Sequence, residues 1–110
     1  MKLFSLLLFL ITPAFITHAE VKKITVTGND TMQFDLKSFE VKTGDTVEIT
    51  FKNVGKIPKI AMGHNLVVLQ KGISAVAFGQ KAMGAGANAT NALPDSVKGD
   101  TIASTKLLGP

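Results

Sequence analysis

The chain has 110 residues, room for one small domain at most. Its twelve basic residues are all lysines, set against eight acids for a formal charge of +4. They are spread along the chain without aromatic-basic clusters, which argues against nucleic-acid binding and for solvated lysine faces. Cysteine is absent, which excludes disulfides, zinc–cysteine sites and thiol catalysis within these residues. Burial alone must hold the domain.

The first segment reads as a leader. Lys2 gives a short positive start, Leu3 to Ile11 is an uninterrupted apolar run too short to span a bilayer, and Thr17-His18-Ala19 fits a small-x-small cleavage site. The expectation is a secretory signal over residues 1–19, cut before Glu20, and a domain over 20–110 in a periplasm or outside the cell. No membrane span is expected after cleavage. The mature chain, roughly 90 residues, lies near the size where a single core becomes marginal. Without Lys2 its formal charge is +3, eleven lysines against eight acids.

From Glu20 onward the period is two. Val21, Ile24 and Val26 stand among polar residues, with Lys22-Lys23 marking a bulge or an edge. Gly28-Asn29-Asp30 signals a turn. Met32, Phe34 and Leu36 alternate inward, followed by Phe39 and Val41, a turn at Thr43-Gly44-Asp45, and then Val47, Ile49 and Phe51. Lysine and glutamate at the outward positions suit a sheet with one wet face. Gly55 and Pro58 forbid a regular strand where they fall. "NLVVLQ" reads as a further strand, Ile73–Ala82 as a short helix ended by Gly84 and Gly86, and "DTIASTKLLG" as a last short strand. Asn29-Asp30-Thr31 and Asn88-Ala89-Thr90 match the glycosylation sequon, but turn chemistry accounts for both. The pattern predicts an all-β, antiparallel β-sandwich or barrel with one helical excursion.

Chemistry-bearing groups are few. No Gly-x-Ser-x-Gly elbow, phosphate loop or dinucleotide glycine pattern is present, and the acids fall on outward strand positions or in turns. His64 is the single histidine after the leader, at the mouth of an apolar run in "KIPKIAMGHNLVVL" (Lys56 to Leu69). On the residues alone it reads as a turn residue or as a metal ligand. Met62, two positions earlier, reads as filler or as a thioether donor.

Three blocks, "GNDTMQF" (Gly28 to Phe34), "KIPKIAMGHNLVVL" and "TIASTKLLG" (Thr101 to Gly109), together resemble the azurins, small blue-copper proteins of the cupredoxin family. The resemblance implies a cupredoxin-like antiparallel Greek-key β-sandwich with Gly72–Ala92 as its helical flap. It implies a type 1 copper electron-transfer protein, not an enzyme. His64 corresponds to a histidine ligand and the Gly63 carbonyl to a weak axial oxygen. Asn65 corresponds to the asparagine that ties the ligand loops together and donates toward the copper-bound sulfur. Met32, Ile57, Met62 and Met83 correspond to an apolar patch where redox protein partners dock.

The chain departs from that pattern. Lys22 and Asp45 stand near the positions of a structural disulfide, and Leu66 replaces a buried tryptophan. A blue-copper centre needs two histidines, a cysteine and a weak axial methionine; the segment that supplies cysteine, second histidine and methionine has no counterpart here. The expectation is an N-terminal part lacking the last two strands. The alternative from another class is a metal-free exported β-sandwich used for binding or adhesion.

Overall fold

The computed structural model describes residues 11–16 and 18–110. The leader expected over residues 1–19 therefore lies largely outside the described residues.

Strand β1 (Val21–Gly28) pairs with β2 (Thr46–Asn53), and β3 (Val67–Leu69) pairs with β4 (Thr101–Ser104). Helix α1 (Lys59–Met62) precedes β3, and helix α2 (Ala75–Gly84) and a 3-10 turn (Asp95–Asp100) lie between β3 and β4. The β3–β4 pair is antiparallel, with an irregularity between Val68 and Leu69. The β1–β2 pair is parallel, which corrects the expectation of a wholly antiparallel sheet. Alternating wet and dry positions are the usual mark of antiparallel pairing, but a parallel pair with one open face shows the same alternation. The register runs unbroken from Val21 opposite Thr46 to Gly28 opposite Asn53, so Lys22-Lys23 marks an edge and not a bulge.

The segment joining β1 to β2 is where the alternation reading fails. Met32 and Phe34 are exposed, and Phe34 contributes a single bridge to Gly28 in place of a strand. Met32 has a φ of 57°, a left-handed conformation that turns the chain and that a continuous strand does not contain. Asn29 closes this turn: its carbonyl accepts from Met32 N (3.0 Å) and its side-chain Oδ1 from Thr31 N (2.9 Å). Asn88 Oδ1 does the same for Thr90 N (2.9 Å), so both sequon asparagines act in turns.

Helix α2 starts two residues later than its apolar spacing suggests because Ser74 caps it, its hydroxyl accepting from Ala77 N. It ends at Gly84, and just beyond its cap residue Ala85 the chain turns at Gly86, whose φ of 91° suits glycine. Its buried face, Phe78 and Ala82, packs with Val97 of the 3-10 turn, and Val67, Leu69, Ala87 and Leu93 surround them. A second buried centre lies on the parallel pair, where Val26 stands opposite Phe51 and the Phe51 ring meets Phe34 edge to face at 5.9 Å. The N-terminal end of that pair is fastened by polar contacts: Asp45 accepts from Lys42 N (2.9 Å) and Glu20 N (3.3 Å), and Thr46 N donates to the Glu20 carbonyl (2.9 Å).

Candidate metal centre

Pro58 and Gly63 bound α1, and Gly63 returns to extended backbone just ahead of His64. Its backbone is locked by an antiparallel bridge to Leu108: His64 N donates to the Leu108 carbonyl (3.0 Å) and Leu108 N to the His64 carbonyl (2.8 Å). The next residues continue the zipper. Leu66 N donates to Thr105 Oγ1, Thr105 N donates to the Leu66 carbonyl, and Asn53 Nδ2 reaches the Leu108 carbonyl.

Gly63, His64 and Asn65 line one cavity of about 230 Å³ together with Gly28, Met32, Gln33 and Phe34. One edge of the imidazole lies against Gly28, where a Cβ would stand 3.8 Å from His64 Cδ2. Nε2 of His64 is buried and has no hydrogen-bond partner among the described residues. A buried imidazole nitrogen without a partner costs about 1–3 kcal/mol, which marks this ring as one that gains from a ligand or a proton acceptor. No described hydrogen bond comes from the Asn65 side chain.

Of the residues singled out in the sequence, Met32 joins His64 in this cavity. Met62 lines a neighbouring cleft with Gly63, Ala89 and Leu107. Ile57 is half-buried beside the Asp30 turn, to which its N–H donates. Met83, on α2, is three-quarters exposed and lines none of these cavities.

The residue that sequence reasoning missed is Asp30. Its carboxylate accepts from Lys56 N (2.8 Å) and Ile57 N (3.4 Å), which ties the Met32 turn to the segment leading into α1 and His64. The contact is tight enough that a Cβ on Gly55 would fall 2.1 Å from Asp30 Oδ1. Its one sequence signal was membership of a Gly-Asn-Asp turn; nothing local points to a partner 26 residues away.

A small β-protein that places an imidazole at an uncharged cavity presents one candidate metal donor there. The model of copper binding proteins of the plastocyanin/azurin family matches residues 20–106. The chain belongs to that family. It is 44% identical over 89 residues to azurin-2 of Alcaligenes xylosoxydans xylosoxydans, covering 77% of this chain and 64% of that protein. It is 37% identical over 91 residues to an azurin of Pseudomonas fluorescens biotype C, covering 79% and 66%. A stretch of 49 residues is 51% identical to azurin of Alcaligenes faecalis, covering 44% of this chain and 38% of that azurin. The chain thus spans less than two thirds of the length of each of these relatives.

The family binds copper, yet the donors present do not fit a blue-copper site. The 110 residues contain no cysteine, and the one other histidine, His18, precedes the residues the family model matches. Among the described residues no group of three or more His, Cys, Asp or Glu is placed to hold a metal ion. An imidazole and a neighbouring carbonyl leave the thiolate, second imidazole and axial thioether unsupplied.

Proposed function

We propose that this chain is the N-terminal part of an azurin-type, type 1 copper electron-transfer protein, and that His64 and the Gly63 carbonyl are its contribution to the metal site. The observation that carries the reading is the meeting of Gly63, His64 and Asn65 with Met32 in one cavity, in a chain whose family is copper-binding. Partial coverage of the azurins supports a missing segment that brings the cysteine, second histidine and methionine. Asn65 is assigned to the surroundings of the metal and not to the ligand set.

The protein is a carrier and not an enzyme. Its partners are redox proteins that meet the apolar residues Met32, Ile57, Met62 and Met83; Met32 and Met83 are the most exposed of these. Residues 1–19 act as a cleaved signal, and the domain over 20–110 works in the periplasm or otherwise outside the cytoplasm. Among the described residues no helix is long and apolar enough to cross a membrane. The Greek-key sandwich is completed when the last two strands join the open sheets.

Titration of Cu(II) into this chain and into a version extended by the C-terminal segment of an azurin tests the reading. The short chain stays colourless because it has no thiolate. The extended chain turns blue and gains thermal stability together, because ligands assembled only in the native state make binding energy part of folding energy. A folded extended chain that stays colourless overturns the reading and favours a metal-free binding module.

A further inference from the structure

Strand β2 has one strand neighbour, β1, so one of its two edges is unpaired among the described residues. The ladder fixes which backbone groups lie on that edge. Thr46 N donates to the Glu20 carbonyl and Val54 N to the Gly28 carbonyl, one at each end of β2. Backbone groups alternate in direction along a strand, so Thr46, Glu48, Thr50 and Lys52 bond toward β1. Val47, Ile49, Phe51 and Asn53 turn their N–H and C=O groups to the open edge. Among the described residues no backbone group of Val47, Ile49 or Phe51 has a partner outside the ladder. A row of this kind is a template for another strand.

We propose that the strand it takes is β2 of a second copy of this chain, paired antiparallel about a two-fold axis through Thr50. Three requirements meet in that register. Outward-facing residues stand opposite each other and exchange hydrogen bonds, Val47 with Asn53 and Ile49 with Phe51. Thr50 faces its own copy, and Glu48 faces Lys52 twice by symmetry, at positions where opposed side chains approach most closely. All three are exposed, and neither Glu48 nor Lys52 belongs to an ion pair among the described residues. Sliding one strand by two residues keeps the bonding pattern but sets Glu48 opposite Thr50 or Val54, which loses both ion pairs. On the other face, Ile49 against Phe51 is a β-branched–aromatic pair, and it continues the apolar groove that Val47 and Ile49 form with Leu66, Val68 and Ala103. The opposite edge of the sheet is guarded: β1 carries Lys22 and Lys23 and no acid, so two copies meeting there bring like charges together. The contact needs no ligand and stands apart from the copper reading. A strand supplied by a longer chain would compete for the same edge, so the proposal is of these 110 residues as they stand.

The test is sedimentation velocity of the whole chain over a concentration series, with circular dichroism to verify that each variant is folded. A reversible dimer is expected. Glu48→Lys sets like charges opposite each other twice and weakens the dimer by on the order of tenfold or more, and Lys52→Glu does the same. Mixing the two single variants restores association as a heterodimer, and the chain carrying both changes dimerises with itself. In a chain without cysteine, Thr50→Cys places one thiol on the two-fold axis, where the spacing of opposed residues of about 4.5 Å is within disulfide reach. With oxidised glutathione it gives a covalent dimer. Thr25→Cys, exposed on the same face but one strand away from the edge, does not. A chain that sediments as a monomer throughout the series, association that is unchanged by the charge variants, or equal cross-linking at Thr25 and Thr50 overturns the proposal.

Discussion

The Asp30 clamp can be tested by a pair of substitutions whose effects should not add. Asp30→Ala removes a charged acceptor from Lys56 N at 2.8 Å and from Ile57 N at 3.4 Å. A hydrogen bond to a charged group is worth about 1.5–3 kcal/mol. Asp30 is half-buried and the second contact is long, so the cost falls at or just below the bottom of that range, about 1–2 kcal/mol. Gly55→Ala reaches the same interaction from the other side. Its Cβ would stand 2.1 Å from Asp30 Oδ1, so the carboxylate must move by more than an ångström and give up its backbone donors. The single change therefore costs about as much as losing the carboxylate, about 1–2 kcal/mol.

In the Asp30→Ala background the obstacle is gone. The next contact is Asn53 Oδ1 at 3.1 Å, which a small shift relieves, and Gly55 has no positive φ to strain an alanine. There Gly55→Ala is close to neutral, helped by the few tenths of a kcal/mol that alanine gains from a stiffer unfolded chain. The double variant should match Asp30→Ala alone, a coupling of about 1–2 kcal/mol. Urea unfolding followed by circular dichroism measures all four chains; in thermal melts each kcal/mol shifts the midpoint by about 4–8 °C at this size. Costs that simply add would refute the clamp.

Gly63→Ala places a Cβ 2.8 Å from Leu107 Cγ and 3.0 Å from the Lys59 carbonyl, so it should destabilise by about 1–3 kcal/mol and disturb the His64–Leu108 bridge, read by hydrogen exchange at His64. Asp35 titrates below the ordinary carboxylate range, chiefly because the Thr27 backbone N–H donates to it at 2.7 Å. Its depressed folded-state pKa gives stability that is present above the unfolded value of about 4 and lost as pH falls through the folded value. Asp35→Asn should therefore lower stability at neutral pH, with the difference from the unaltered chain vanishing in acid. For the leader, intact-mass measurement of exported protein should place Glu20 at the N-terminus; retention of residues 1–19 would contradict a cleaved signal.

Local chemistry was legible wherever a few neighbouring residues decide the outcome. Val21–Gly28 and Thr46–Asn53 are strands because alternation and β-branched residues favour them, and the Asn29 and Asn88 turns follow from side chains that bond their own backbone. The reading failed at Met32–Leu36, where alternation was genuine but the Asn29 turn and the positive φ at Met32 rotate the chain out of strand geometry. Strand direction was hidden as well. Period-two patterning names the buried face of each strand, but it says nothing about whether β2 runs with β1 or against it. The cavity was the least legible part, because each wall of it depends on a distant partner. His64 is set by Leu108, the Met32 turn by Lys56 and Ile57, and the ring's resting place by the missing side chain of Gly28. A window of ten residues contains none of these pairs. Resemblance to the azurins singled out His64 and Met32, but it says nothing of Asp30, the residue that ties the Met32 turn to the segment leading into α1 and His64.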